Sequence, residues 1–82
     1  MSEQKSIERA VEEMQAAEPL IADFMRRRLA DSAGFADTLA EFYDKYGLRG
    51  ALRAVNHWLE GGAYDEPFDL DRAIMRLAAK LD

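Results

Sequence analysis

The sequence predicts an all-α fold, a compact bundle of four to five short antiparallel helices forming a single domain over residues 1–82. Three observations carry that reading. Apolar residues recur at intervals of three and four along the chain, and the segments that alternate, such as Phe68–Asp71 and Ala79–Asp82, are too short to compete with that period. β-Branched residues are confined to Ile7, Val11, Ile21, Thr38, Val55 and Ile74. Pro19, Pro67 and the glycines at 34, 47, 50, 61 and 62 fall between the periodic segments or near their ends, as helix punctuation does.

Helix one is predicted from about Gln4 to Ala17. Ile7, Ala10, Val11, Met14 and Ala17 share one face, and Glu8, Arg9, Glu12 and Glu13 share the other. Helix two follows from Pro19 to about Leu29, since proline suits a first helical turn, where its missing N–H would lack a partner in any case. Its buried face is wide: Leu20, Ile21, Phe24, Met25 and Leu29. A second pattern overlays both helices. Positions 7, 11, 14, 18, 21, 25 and 28 keep an unbroken four-three spacing, so one long helix kinked at Pro19 competes with two separate ones. Glu18 and Arg28 are the charged members of that seam, which makes it imperfect, and Arg28 points toward the middle of the apolar arc, where a charge needs a partner or an escape route.

Asp31-Ser32-Ala33-Gly34 reads as a short turn with Asp31 or Ser32 as N-cap. Helix three runs on to Tyr46, with Phe35, Leu39, Phe42, Tyr43 and Tyr46 on one broad face as the heart of the core. Gly47 is placed to end it as an αL cap, with Leu48 as the apolar residue beyond it. Helix four covers Leu48 to Glu60, with Leu48, Leu52, Val55 and Leu59 as its apolar arc. Across from that arc, Gly50, Ala54 and His57 line up with Trp58 at the edge, a strip on which another backbone can approach closely. Helix four is therefore expected to be buried on two sides, centrally in the bundle or at a subunit contact. Ala63 to Pro67 reads as a loop. Helix five opens at Phe68-Asp69, with Asp69 as N-cap and Phe68 stapled onto Ala73. Leu70, Ile74, Leu77, Ala78 and Leu81 form its inner stripe, and Arg72, Arg76 and Lys80 an outer basic ridge.

Composition narrows the function. The 82 residues are 49% apolar, enough for a core, and 16 acids against 11 bases give a net charge of −5. The absence of cysteine excludes disulfides, thiol nucleophiles, cysteine zinc sites and iron–sulfur clusters, and fits a reducing, cytoplasmic setting. No apolar run exceeds three residues, as at Leu20–Ala22, so no membrane span is expected, and Met1–Lys5 lacks the apolar stretch of a signal peptide. A chain this small without staples relies on well-packed helices or on self-association.

Neither catalysis nor a cofactor is expected. His57 is the sole histidine and has no nucleophile or acid arranged around it. The glycines match no phosphate-binding loop, and there is no Glu-x-x-His pair for a di-iron site. Asp65, Glu66, Asp69 and Asp71 cluster, but Pro67 and Phe68 interrupt any calcium-loop spacing, so no metal site is expected. Helix three, Gly47 and helix four outline a helix-turn-helix with Arg49, Arg53 and Asn56 outward. Tyr43 stands where a small residue normally permits the crossing, the turn is short and the net charge is negative, all of which argue against DNA. The acidic residues Glu8, Glu12, Glu13, Asp37, Glu41 and Asp44 suggest instead a phosphate-mimicking inhibitor of a nucleic-acid-binding protein, although arginines interrupt that field.

The expectation that best fits these features is a small non-enzymatic protein–protein interaction module: a regulator, adaptor or inhibitor of a larger protein partner. Its contact surface is expected on Gly50, Arg53, Ala54, His57 and Trp58, with Arg26, Arg27 and Arg28 as a second patch and a homodimer as the expected assembly. No motif is specific enough to name a family.

Overall fold

A computed structural model describes residues 3–60 and 68–81, apart from the side chains of Glu60 and Phe68. The described chain forms five helices: α1 (Glu3–Ala17), α2 (Pro19–Asp31), α3 (Ala33–Tyr46), α4 (Leu48–Glu60) and α5 (Phe68–Leu81). The expected all-α fold is what the chain adopts. None of these helices is long and apolar enough to cross a membrane.

Each of the first three connections is a single residue. The four-three seam does not hold α1 and α2 together as one kinked helix. Glu18 is extended, at φ −149° and ψ 94°, because a residue preceding proline is pushed out of the helical region. Its N–H closes α1 onto the Met14 carbonyl at 2.7 Å, and its own carbonyl accepts from Ile21 and Ala22 to start α2. The turn expected over Asp31–Gly34 contracts to Ser32, and α2 runs on to Asp31. The Ser32 N–H reaches the Arg28 carbonyl at 2.8 Å, while its Oγ accepts from the Phe35 N–H at 3.2 Å. That one cap lets Ala33 and Gly34 join the helix despite their position in a turn-like string. Gly47 joins α3 to α4 at φ 69° and ψ −143°, with its N–H on the Tyr43 carbonyl at 2.8 Å. The positive φ is as expected, but ψ lies outside the left-handed helix, so the chain leaves more sharply than an αL cap would allow; a Cβ is strained there.

The helix end at Gly61-Gly62, the Ala63–Pro67 loop, the acids Asp65 and Glu66 and the Phe68 staple lie outside the described residues. Asp69 is not the cap of α5, which already begins at Phe68. With Asp71 it sits in the first turn, where negative charge complements the helix dipole.

One hydrophobic cluster draws on all five helices, including Ala10, Met14, Phe24, Met25, Phe35, Leu39, Val55 and Leu77. Its centre is shared between α2 and α3 rather than belonging to α3 alone. Phe24 meets Phe35 edge-on at 6.3 Å and 80°, and Phe35 meets Trp58 at 5.9 Å and 85°, the arrangement that aromatic quadrupoles favour. Two residues expected inside are not: Leu20 is 43% exposed at the start of α2, and Tyr46 is 54% exposed at the end of α3.

Candidate functional site

Helix α4 settles how the small-residue strip is used. At 100° per residue, the arc from Gly50 through Ala54, Trp58, Ala51 and Val55 to Leu52 covers about 200°. Gly50, Ala51, Leu52, Ala54 and Val55 are all buried. A Cβ built on Gly50 would stand 2.0 Å from the Phe42 carbonyl oxygen, so α3 and α4 touch backbone to backbone. Ala54, one turn on, is fully enclosed. Gly50 and Ala54 are therefore not an outer strip; of the two placements expected for α4, the structure has the central one. The second packing face that suggested a homodimer is occupied within the chain. Trp58 is half-buried, with its ring edge against Gly34 and Phe35. Only Arg53 and His57 of the expected contact residues on this helix are exposed.

The outward stripe of α4 is Arg49, Arg53 and His57, with Asn56 half-buried beside it. Alongside α5 this stripe forms a groove of about 240 Å³ lined by Arg49, Leu52, Arg53, Asn56, Ala78 and Leu81. Its floor is aliphatic and its α4 rim carries two cations and an amide. Arg49 donates from Nη2 to the Leu81 carbonyl, answering an acceptor that the end of α5 leaves open. The Arg53 guanidinium lies over the Tyr46 ring at 5.7 Å, with no carboxylate partner among the described residues. In the sequence, Arg49, Arg53 and Asn56 come together only in the helix-turn-helix outline. That α5 supplies an apolar wall beside them is a long-range fact without a local signature.

Arg26, Arg27 and Arg28 do not converge. Successive residues on a helix point 100° apart. Arg26 donates to Asp23 at 3.2 Å and to Gln15 of α1 at 2.6 Å. Arg27 is exposed, and the Arg28 guanidinium lies half-buried over the Phe24 ring at 5.6 Å. The Phe24 ring thus gives the Arg28 charge a cation–π partner on the apolar arc.

Several of the acidic residues act between α1 and α3. Ser6, itself buried, donates to Asp44 at 2.5 Å, and the Tyr43 hydroxyl donates to Glu13 at 2.5 Å. Burial first, and the Glu13 carboxylate second, push the Tyr43 hydroxyl up to about 12. The carboxyl of Glu3 is raised by its hydrogen bond to Asp37, by desolvation and by the Asp37 charge. Glu41 pairs with Lys45 at 3.3 Å, and Glu8 accepts from Gln4 at 3.4 Å. Glu12 lines a shallow hollow with Lys5, Glu8 and Arg9, so cations are interleaved there too.

The contact that sequence reasoning missed is Glu18 with Arg76. The Glu18 carboxylate is buried and accepts from both Nη2 and Nε of Arg76, at 3.0 and 3.2 Å. That hydrogen bonding holds the Glu18 carboxyl below its ordinary range against the opposing effect of burial. The only signal was a carboxylate standing in an apolar seam. Among the described residues no three His, Asp or Glu side chains gather as a metal site. Comparison with known protein families, with curated proteins and with solved structures yields no match for this chain.

Proposed function

We propose that this chain is a small non-enzymatic protein-interaction module, a regulator, adaptor or inhibitor of a larger partner, which takes hold through the α4–α5 groove. The observation that carries this reading is the chemistry of that groove: an aliphatic floor of Leu52, Ala78 and Leu81 beside Arg49, Arg53 and Asn56. Guanidinium and amide groups donate hydrogen bonds but do not take up or release protons near neutral pH, which suits recognition rather than acid–base catalysis. The phosphate-mimic alternative draws less support, because Glu13 and Asp44 are engaged in joining α1 to α3.

The test compares cross-linking capture from source cells by the wild-type chain and by Arg49→Glu/Arg53→Glu. A partner held by the wild type and lost from the variant is the expected result. An identical set of captured proteins would overturn this reading.

A further inference from the structure

We infer that the groove receives an acidic amphipathic segment of the partner protein, with an aliphatic side chain on Leu52, Ala78 and Leu81 and flanking carboxylates on Arg49 and Arg53. This deepens the function proposed above and rests on it.

Charge complementarity is the first argument. The chain as a whole carries −5, yet among the described residues the groove is lined by two guanidiniums and one amide, with no acid. The two guanidiniums complement a carboxylate ligand in charge. Guanidinium forks match carboxylates in bidentate geometry, so charge and shape favour the same ligand group.

Spacing is the second. Arg49 and Arg53 stand one helical turn apart, with side-chain roots about 6 Å from each other. Asn56 extends the row of donors to about 10 Å along the axis. Acids one turn apart on a partner helix, or alternate residues of an extended strand, present acceptors at that interval. The third argument is preorganisation. Arg49 is steadied by the Leu81 carbonyl and Arg53 by the Tyr46 ring, which lowers the side-chain entropy lost on binding. Phosphates of a nucleic acid also repeat at such intervals, but they offer nothing to an aliphatic floor.

A random-peptide display library selected on the immobilised full chain tests the inference without knowledge of the natural partner. Peptides pairing Asp or Glu with Leu, Ile or Met are expected to be enriched. A synthetic copy of the strongest, followed by fluorescence anisotropy, is expected to bind Arg53→Glu about tenfold more weakly than wild type and to weaken with added salt. Arg53 lies over the Tyr46 ring and takes no part in the bond from Arg49 to Leu81, so this variant keeps the Arg49 anchor to α5, and a far-UV circular dichroism melt checks its fold. Peptides that need the groove but show no acidic excess would overturn the ligand class and leave the interaction module standing. Peptides that bind Arg53→Glu and Arg49→Glu/Arg53→Glu undiminished would overturn both. No enrichment, or tighter binding of a labelled DNA oligonucleotide than of any selected peptide, would overturn the inference.

Discussion

Replacing Gly50 with alanine sets helix propensity against tertiary packing, and the structure decides which is larger. Inside an isolated helix, alanine is favoured over glycine by about 1 kcal/mol. Here the added Cβ would lie 2.0 Å from the Phe42 carbonyl oxygen, 2.6 Å from its carbon and 3.0 Å from the Tyr46 Cβ. The nearest atoms are helix backbone, which cannot swing away as a side chain would. α3 and α4 must separate by about 1 Å to relieve the contact, and a gap of that size forfeits up to about half of each opposing dispersion contact. Overpacking of this kind costs about 3 kcal/mol, the upper part of the usual range. About 2 kcal/mol of net destabilisation remains, which for a domain of this size lowers Tm by about 8–16 °C. Urea unfolding read by far-UV circular dichroism and by Trp58 fluorescence should show a lower midpoint with an unchanged slope. Gly34→Ala is the control: its Cβ meets side chains rather than backbone, the Trp58 ring at 3.2 Å and the Ser32 Oγ at 3.6 Å, and a ring can shift. A Gly50→Ala chain as stable as wild type would refute the backbone contact between α3 and α4.

Three other substitutions have expected outcomes. Glu18→Gln should lower the urea midpoint at neutral pH, by less than Gly50→Ala, because Arg76 is half exposed. The folded chain holds the Glu18 carboxyl below the ordinary value of 4.5. Its stabilisation is thus present above that value and is lost as pH falls through the folded pKa, so wild type and variant should converge in acid. Tyr43→Phe acts at the other end of the scale. The raised hydroxyl means that unfolding releases a proton between pH 10 and about 12, so wild-type stability falls over that window as pH rises. The variant should lack this part of the fall, and an ultraviolet titration of the folded chain should lose a phenolate step near 12. Ala54→Arg should unfold the chain rather than split a dimer. Ala54 has no exposed surface, and an unpaired buried charge costs at least about 4 kcal/mol against a total of about 4–12 kcal/mol. A folded Ala54→Arg with wild-type circular dichroism would contradict the enclosure of Ala54.

What the sequence made legible was local, and what it hid was long-range. Ser32 and Gly47 announce themselves because a cap or a positive φ is settled by a residue and its immediate neighbours. Pro19 announced a boundary but left open whether it bent or broke the helix, and the extended conformation imposed on Glu18 answers that. The buried carboxylate of Glu18 finds its cation 58 positions away, and Ser6 finds Asp44 38 positions away. With eleven lysines and arginines available, sequence alone does not assign such pairs. The small residues of α4 signalled a close approach without naming the approaching backbone. Because α3 and α4 are joined through Gly47 alone, the same chain supplies it. Of the expected site, Arg53 and His57 stay at the surface while Gly50 and Ala54 go inside, and Arg49, Leu52, Asn56, Ala78 and Leu81 enter the groove only once α5 is in place.

Stability and recognition meet on α4 for a geometric reason. A small bundle without disulfides must bury much of its central helix, and α4 gives about 200° of its circumference to the core. The polar arc left over is narrow, so every ligand contact on this helix involves the row that begins at Arg49. Arg49 already serves the fold through the Leu81 carbonyl, and the far side of α5 is tied to the α1–α2 junction by Arg76 and Glu18. On the proposed reading, a segment lying in the groove touches α4 and α5 together and adds to the forces that hold α5 in place. Peptide binding and α5 docking are then thermodynamically linked. A selected peptide should raise the Tm of the wild-type chain and restore part of the stability lost in Glu18→Gln, although Glu18 lies outside the groove. A peptide that binds without raising Tm would show that its binding is not coupled to folding of the bundle.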